Sequence, residues 1–280
     1  MQTIYLGNCH CGRFRFEISA EDGIINDAIV CDCTLCAKKG YFWLRPPPEA
    51  FEVTRDEGAI TEYTSKALED KFCNTCGTSV TGKHLVGPLQ GQLLVNVRAI
   101  QGINPFKLKL TPAKTSANEG ERTIGAVPTL APGSESTAAH IGSCHCGRVQ
   151  VELLIPLTEL QVKEDNCSTC VRNAYIGAYP NKDQVRVHGR ENTFEYRREG
   201  GFSGIAHCKA CGVTVFSNVH GPPLSAFDRL PPERKERALE VYHKKMALQP
   251  LNVRALDGVD LATLQIERSD EGTEGYVLPP

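Results

Sequence analysis

Apolar and polar side chains alternate along Phe14-Arg15-Phe16-Glu17-Ile18, and the alternation returns along Val149-Gln150-Val151-Glu152-Leu153. A period of two belongs to a strand buried on one face, so both stretches are predicted as half-buried strands. Elsewhere the apolar runs are short and punctuated by Gly and Pro, as at Ala50-Phe51-Glu52-Val53 and Gln184-Val185-Arg186-Val187. The chain therefore reads as mainly β. One segment breaks the pattern: after Pro231-Pro232, residues Leu239, Tyr242 and Met246 fall at helical spacing in a run reaching about Gln249, which predicts a short inserted helix. Its Arg234, Lys235, Arg237, Lys244 and Lys245 read as a solvated face rather than a contact for an acidic partner.

The strand patterns are two instances of one repeat. Cys144, Cys146, Cys208 and Cys211 each follow Cys9, Cys11, Cys73 and Cys76 by 135 residues, and Cys167 follows Cys33 by 134. Asn96-Val97-Arg98-Ala99 returns as Asn252-Val253-Arg254-Ala255. At 280 residues the chain is long enough for two cores, given a prior of ~150 residues per domain. The expected division is a domain over 1–111, a linker over 112–139 and a second domain over 140–280 that holds the inserted helix. The linker expectation rests on Pro112, Pro128 and Pro132 standing among Gly, Ser, Thr and Glu without an apolar period.

Charge adds little. A net charge of -2 carries no signature of nucleic acid or of an anionic membrane surface. No run approaches the ~20 apolar residues of a membrane span, and Met1 to Cys9 lack the pattern of a secretory signal. The expectation is a small-molecule partner and a reducing, cytoplasmic setting, in which the 13 cysteines favour metal over disulfides.

The spacing of the cysteines carries the chemistry. Cys9, Cys11, Cys73 and Cys76 make one four-thiolate set, and Cys144, Cys146, Cys208 and Cys211 make another. Each suits a structural Zn2+, which contributes on the order of 10–16 kcal/mol of apparent binding energy to folding. The middle group differs. Cys31, Cys33 and Cys36 supply only three thiolates and leave a position for water or substrate, so this triplet is the expected chemical centre; buried or redox thiols are the plainer alternative. Counting back from the matching Tyr41 and Tyr175, the second repeat has Asp165, Cys167 and Cys170. A carboxylate holds zinc less tightly among thiolates, so this is either an altered metal site or a vestige with Asp165 on a surface loop.

The order CxCG, then CxCxxC followed by Gly40, Tyr41 and Phe42, then Phe72-Cys73-Asn74-Thr75-Cys76-Gly77, then Asn96-Val97-Arg98 resembles the glutathione-dependent formaldehyde-activating enzyme family, which also includes centromere protein V. The resemblance covers both repeats apart from the linker and the inserted helix. It implies two tandem zinc-held all-β domains, a second zinc on the middle cysteines, and chemistry between glutathione and formaldehyde that yields S-hydroxymethylglutathione. Two departures stand out. The closing N-x-R…G-x-D pattern is complete in the second repeat as Asn252, Arg254, Gly258 and Asp260, whereas the first has Asn104 in place of Asp. The complete cysteine triplet is in the first repeat only. A composite site and one working domain beside a degenerate partner both fit.

On this reading the chain is a carbon-sulfur lyase that joins glutathione, or a similar thiol, to a small aldehyde, with the substrate thiol on the open position of the triplet's zinc. Lys38, Lys39 and Arg98 are candidates for substrate carboxylates, and Trp43 for lining the pocket or the core. His84 and His220 are weaker candidates for a proton shuttle; His10 and His145, each between two ligands, are read as structural. The alternative from another class is a zinc-stabilised binding module without turnover.

Overall fold

The structure, a computed structural model, describes residues 2–119, 138–198, 200–272 and 278. The first repeat contains β1 (Gln2–Asn8), β2 (Phe14–Glu21), β3 (Asp27–Cys31), β4 (Trp43–Leu44), β5 (Phe51–Asp56), β6 (Ile60–Thr64), β7 (Leu68–Cys73), β8 (Ser79–His84), β9 (Leu93–Asn96) and β10 (Lys109–Ala113). The alternating stretch is β2: Phe14, Phe16 and Ile18 are buried while Arg15 and Glu17 lie between core and solvent. Burying each such side chain is worth about 1.5–3 kcal/mol. β2 pairs antiparallel with β1 and β5 in a three-stranded sheet, and the other strands form a seven-stranded sheet in the order β10-β3-β4-β9-β8-β7-β6. Within it β10 runs parallel to β3, placing Ala113 opposite Cys31.

The second repeat reproduces this plan with β11 (His140–Ser143), β12 (Gln150–Leu153), β13 (Val162–Asp165), β14 (Ile176–Ala178), β15 (Val185–His188), β16 (Thr193–Tyr196), β17 (Ser203–Cys208), β18 (Thr214–Val219), β19 (Leu251–Asn252) and β20 (Ile266–Ser269). Its sheets are β11-β12-β15 and β16-β17-β18-β19-β14-β13-β20, the same order strand for strand. The duplication inferred from cysteine spacing is thus a duplication of architecture. Four short helices interrupt the strands: α1 (Thr34–Lys39), α2 (Ser116–Glu119), α3 (Ser168–Asn173) and α4 (Pro232–Met246). α4 is the predicted insertion. It buries no residue fully and leans on the rest through Tyr242, whose ring meets Phe227 edge-on at 5.5 Å. No described helix is long and apolar enough to cross a membrane.

Packed structure extends beyond residue 111. β10 continues to Ala113 and α2 follows it, anchored because Asp32 accepts hydrogen bonds from the backbone N–H groups of Thr115 and Ser116 at 2.5 and 2.8 Å. Pro128 and Pro132 of the expected linker lie outside the described residues.

The repeats grip each other through an approximate twofold. α1 packs on the 3-10 turn Val253–Ala255 and α3 on its counterpart Val97–Ala99. Lys38 donates to the Ala255 carbonyl at 2.9 Å and pairs with Asp257 at 2.8 Å. On the other side Arg172 donates to the carbonyl of Asn8 at 3.1 Å and to its side-chain oxygen at 3.2 Å. The close approach demands small residues: a Cβ on Gly40 would sit 2.5 Å from that of Ala174. Both close their helix in the left-handed region, at φ 61° and 46°.

Candidate metal centres and the second-repeat cavity

The outer cysteines converge as their spacing requires. In the first set Cys9 and Cys11 Sγ are 3.5 Å apart and Cys11 and Cys73 Sγ 3.6 Å; in the second, Cys144–Cys146 and Cys146–Cys208 are both 3.5 Å. Within each set all four sulfurs lie within 4.8 Å of one another. Tetrahedral zinc with arms of about 2.3 Å spaces its sulfurs about 3.8 Å apart, so the donors fit that ion. Competition for protons inside the cluster drives Cys9 far above the ordinary thiol range, through hydrogen bonds to Cys11, Cys73 and Cys76, and Cys146 far below it, through Cys144, Cys208 and Cys211. Four sulfurs this close repel as thiolates until a cation joins them. The CxxC turn is tight because Gly77, at φ 73°, returns its N–H to the Cys73 carbonyl at 2.8 Å. No side chain fits there, since the His207 ring of the other repeat covers the Cα.

The central triplet of the first repeat is sealed. Cys31 ends β3, Cys33 caps α1, and Cys36 lies one turn along it; all three are buried. The Trp43 indole N–H donates to Cys36 Sγ at 3.3 Å, and Trp43 is fully buried between Tyr41 and His84. Trp43 is therefore a wall of the site and part of the core. His84, at the end of β8, brings Nε2 to 3.8 Å from Cys36 Sγ. His220, by contrast, pairs with Glu195 at 2.6 Å near the surface, and His10 and His145 make interdomain hydrogen bonds to Tyr196 and Tyr63.

The cations nominated for substrate are held by protein groups. Lys38 serves the interdomain contact described above. Lys39 pairs with the buried Asp70 at 2.6 Å and donates to Ser79 at 3.0 Å. Arg98 is 2 % exposed; its Nε donates to the Gly40 carbonyl at 2.8 Å and its Nη1 to the Val171 carbonyl of the other repeat at 3.4 Å, with Phe42 under the guanidinium. Arg254 repeats the contact on Ala174 at 2.9 Å, which gives the recurrent Arg a shared structural task. None of the three borders the second-repeat cavity.

The second repeat is open where the first is closed. Asp165, Cys167 and Cys170 place their donor atoms within 4.8 Å of one another, and the Asp165 carboxylate accepts from the Cys167 N–H at 2.6 Å as Cys31 Sγ does from the Cys33 N–H at 3.3 Å. Asp165 thus occupies the ligand position of Cys31 and not a detached loop. Cys167 and Cys170 border a cavity of about 740 Å³ also lined by Tyr175, Tyr179, Arg198 and Lys245. Its origin is visible in the pairing. Gly177 faces Asn252 as Trp43 faces Asn96, and Val219 faces Ser203 as His84 faces Leu68. Val219, in the place of His84, lines the cavity, whereas the space beside Gly177 is taken by the rings of Tyr179 and Tyr175, 2.7 and 3.0 Å from where a Cβ would sit. Burial, then the nearby Cys170, pushes the Tyr179 phenol up to about 12, so it stays protonated at neutral pH. The hydrogen bond with Cys170 holds the Cys167 thiol below the ordinary range.

A model of the glutathione-dependent formaldehyde-activating enzyme family matches residues 4–112 and again 139–227, more than half of the chain. The chain belongs to this family. Its two tandem family domains account for the repeated sheets and cysteine sets, and the second match stops before α4, the element added within that repeat. A crystal structure of a Rhodobacter sphaeroides protein is similar at 22% identity, covering 46% of this chain and 99% of that one with a TM-score of 0.33. Sequence reasoning misses Arg198, and takes Lys245 for solvated helix surface. The available signal is Val219, a cavity-lining residue standing where the first repeat has His84.

Proposed function

We propose that the chain is a carbon-sulfur lyase of the thiol-adduct type, acting on glutathione or a similar small thiol and a small aldehyde, with the second-repeat cavity as the reaction chamber. The supporting observation is that Cys167 and Cys170 end at a space of about 740 Å³, within the ~300–1,000 Å³ typical of small-ligand pockets, whereas Cys31, Cys33 and Cys36 end in packed core. Asp165, Cys167 and Cys170 would hold the zinc, leaving a position for a substrate thiol. Bound there, the ion supplies positive charge that favours the thiolate form at neutral pH.

The side chains do the rest. Arg198 and Lys245 on the cavity wall pair with the carboxylates of a glutathione-like thiol and orient its sulfur. As sulfur adds to the carbonyl carbon, the C–S bond forms, the C=O electron pair moves to oxygen, and that oxygen takes up a proton. The Tyr179 hydroxyl relays it: it donates its proton to the carbonyl oxygen and regains from solvent the proton the thiol released. In the reverse direction it passes its own proton to solvent as it takes that of the adduct hydroxyl while the C–S bond breaks. Tyr175, hydrogen-bonded to Ser217 at 3.1 Å, is the neighbouring wall of this acid position.

The test is exchange NMR of glutathione–aldehyde adducts across a series of aldehydes. Wild-type protein accelerates exchange for at least one aldehyde; Cys170→Ser abolishes the acceleration, and Val219→Trp, which fills the cavity from its wall, suppresses it at least 100-fold while the zinc content stays unchanged. Exchange unaffected by wild-type protein for every aldehyde leaves the chain as a zinc-stabilised binding module. Activity that survives Cys170→Ser moves the chemistry out of this cavity.

A further inference from the structure

The sealed triplet of the first repeat has a further donor beside it. Sγ of Cys31, Sγ of Cys36 and a ring nitrogen of His84 all lie within 4.8 Å of one another, and Cys33 stands outside that convergent group. Around a tetrahedral zinc with Zn–S of about 2.3 Å and Zn–N of about 2.0–2.1 Å, a sulfur and a nitrogen ligand stand about 3.5 Å apart; the Cys36–His84 separation is 3.8 Å. His84 therefore stands as a third donor beside Cys31 and Cys36, in space that an open site would keep for water or substrate.

Two more observations separate this from a packing histidine. Buried polar groups are normally hydrogen-bonded, yet Nδ1 of the fully buried His84 has no partner among the described residues, and Nε2 faces the Cys36 sulfur. The surroundings also close over the group: Trp43 covers Cys36 and meets His84 edge-on. In the second repeat Val219 replaces His84 and lines the cavity, and Gly177 replaces Trp43.

We infer that Cys31, Cys36 and His84 are the converged donors of a buried zinc site, Cys33 being the neighbouring thiol, that stabilises the first repeat and admits no substrate. The chain then carries three zinc sites closed to substrate and one open one. This does not rest on the lyase reading, because it concerns the first repeat's ligand set and is tested without turnover.

The experiment is NMR of the full chain exchanged with cadmium-113 and labelled with nitrogen-15. Alongside the two four-sulfur resonances and that of the open second-repeat site, which Cys170→Ser identifies by removing it, one further resonance appears with scalar coupling to the ring nitrogen of His84, and added glutathione leaves it in place. In His84→Ala that coupling vanishes and this resonance shifts with glutathione, while the four-sulfur pair stays put. In the wild type, no resonance coupled to His84, or a His84-coupled resonance that moves with glutathione, overturns the inference; the wild-type measurements decide even where the variant fails to fold. The cavity's activity is unaffected by either outcome, so failure here and failure of the lyase reading are distinct.

Discussion

Replacing Asp70 by Ile leaves the Lys39 ammonium stranded in the core, and the second repeat supplies its own control. In the first repeat Lys39 and Asp70 pair at 2.6 Å with side-chain exposures of 5 % and 0 %, and Ser79 and Tyr41 complete the network. The matching positions of the second repeat are Asn173 and Ile205, as the equivalent pairings Asp70 with Gly82 and Ile205 with Ser217 show. Removing one partner of a buried ion pair costs about 3–5 kcal/mol, whereas replacing both is often near neutral. Asp70→Ile should therefore lose about 4 kcal/mol, and Lys39→Asn/Asp70→Ile should recover most of it. With a urea dependence of about 2 kcal/mol per molar, the single variant unfolds at about 2 M less urea. Trp43 is the only tryptophan in the chain and stacks 4.4 Å from Tyr41, so its fluorescence reports this network directly. Equal midpoints for the single and double variants, or a single-variant loss below about 1 kcal/mol, would refute the reasoning.

Stripping zinc from the four-thiolate sets removes on the order of 10–16 kcal/mol of apparent binding energy per site; β structure by circular dichroism should collapse after verified metal removal, and an unchanged spectrum contradicts a structural role. Arg98→Ala gives up charge-assisted hydrogen bonds to Gly40 and Val171, each worth about 1.5–3 kcal/mol. Calorimetry of that variant should show the two repeats melting apart where the wild type melts as one. Tyr242→Ala, in a helix with no fully buried residue, should cost no more than about 1 kcal/mol in urea titration; a larger loss would mean that α4 carries more of the fold than its burial indicates.

The duplication and the two four-cysteine sets were legible because ligand spacing is local and occurs twice. The inserted helix was legible from its period and its two prolines. What was not legible lies across long separations. Lys38 reads as a free cation until its partners Ala255 and Asp257 arrive from more than 200 residues away, and His84 joins the triplet only because β8 crosses the sheet beside α1, 48 residues from Cys36. The cysteine pattern of Cys31, Cys33 and Cys36 counts thiols but does not reveal that Trp43 and His84 pack against them. Nor does the exchange of Cys31 for Asp165 reveal the cavity beside Cys167 and Cys170, which Val219 lines in the place of His84.

The approximate twofold sets a limit on how such a protein can change. In a pair of identical chains joined by this interface, every substitution appears in both halves, so losing a cysteine or a tryptophan from one centre loses it from the other. Covalent fusion removes that coupling. With α1 and α3 each seated on the other repeat's turn, the halves keep the mutual support of a symmetric dimer while their sequences drift independently. One can remain a rigid, metal-filled keystone as the other trades ligands and bulk for access, an inequality that a true homodimer has no means of encoding.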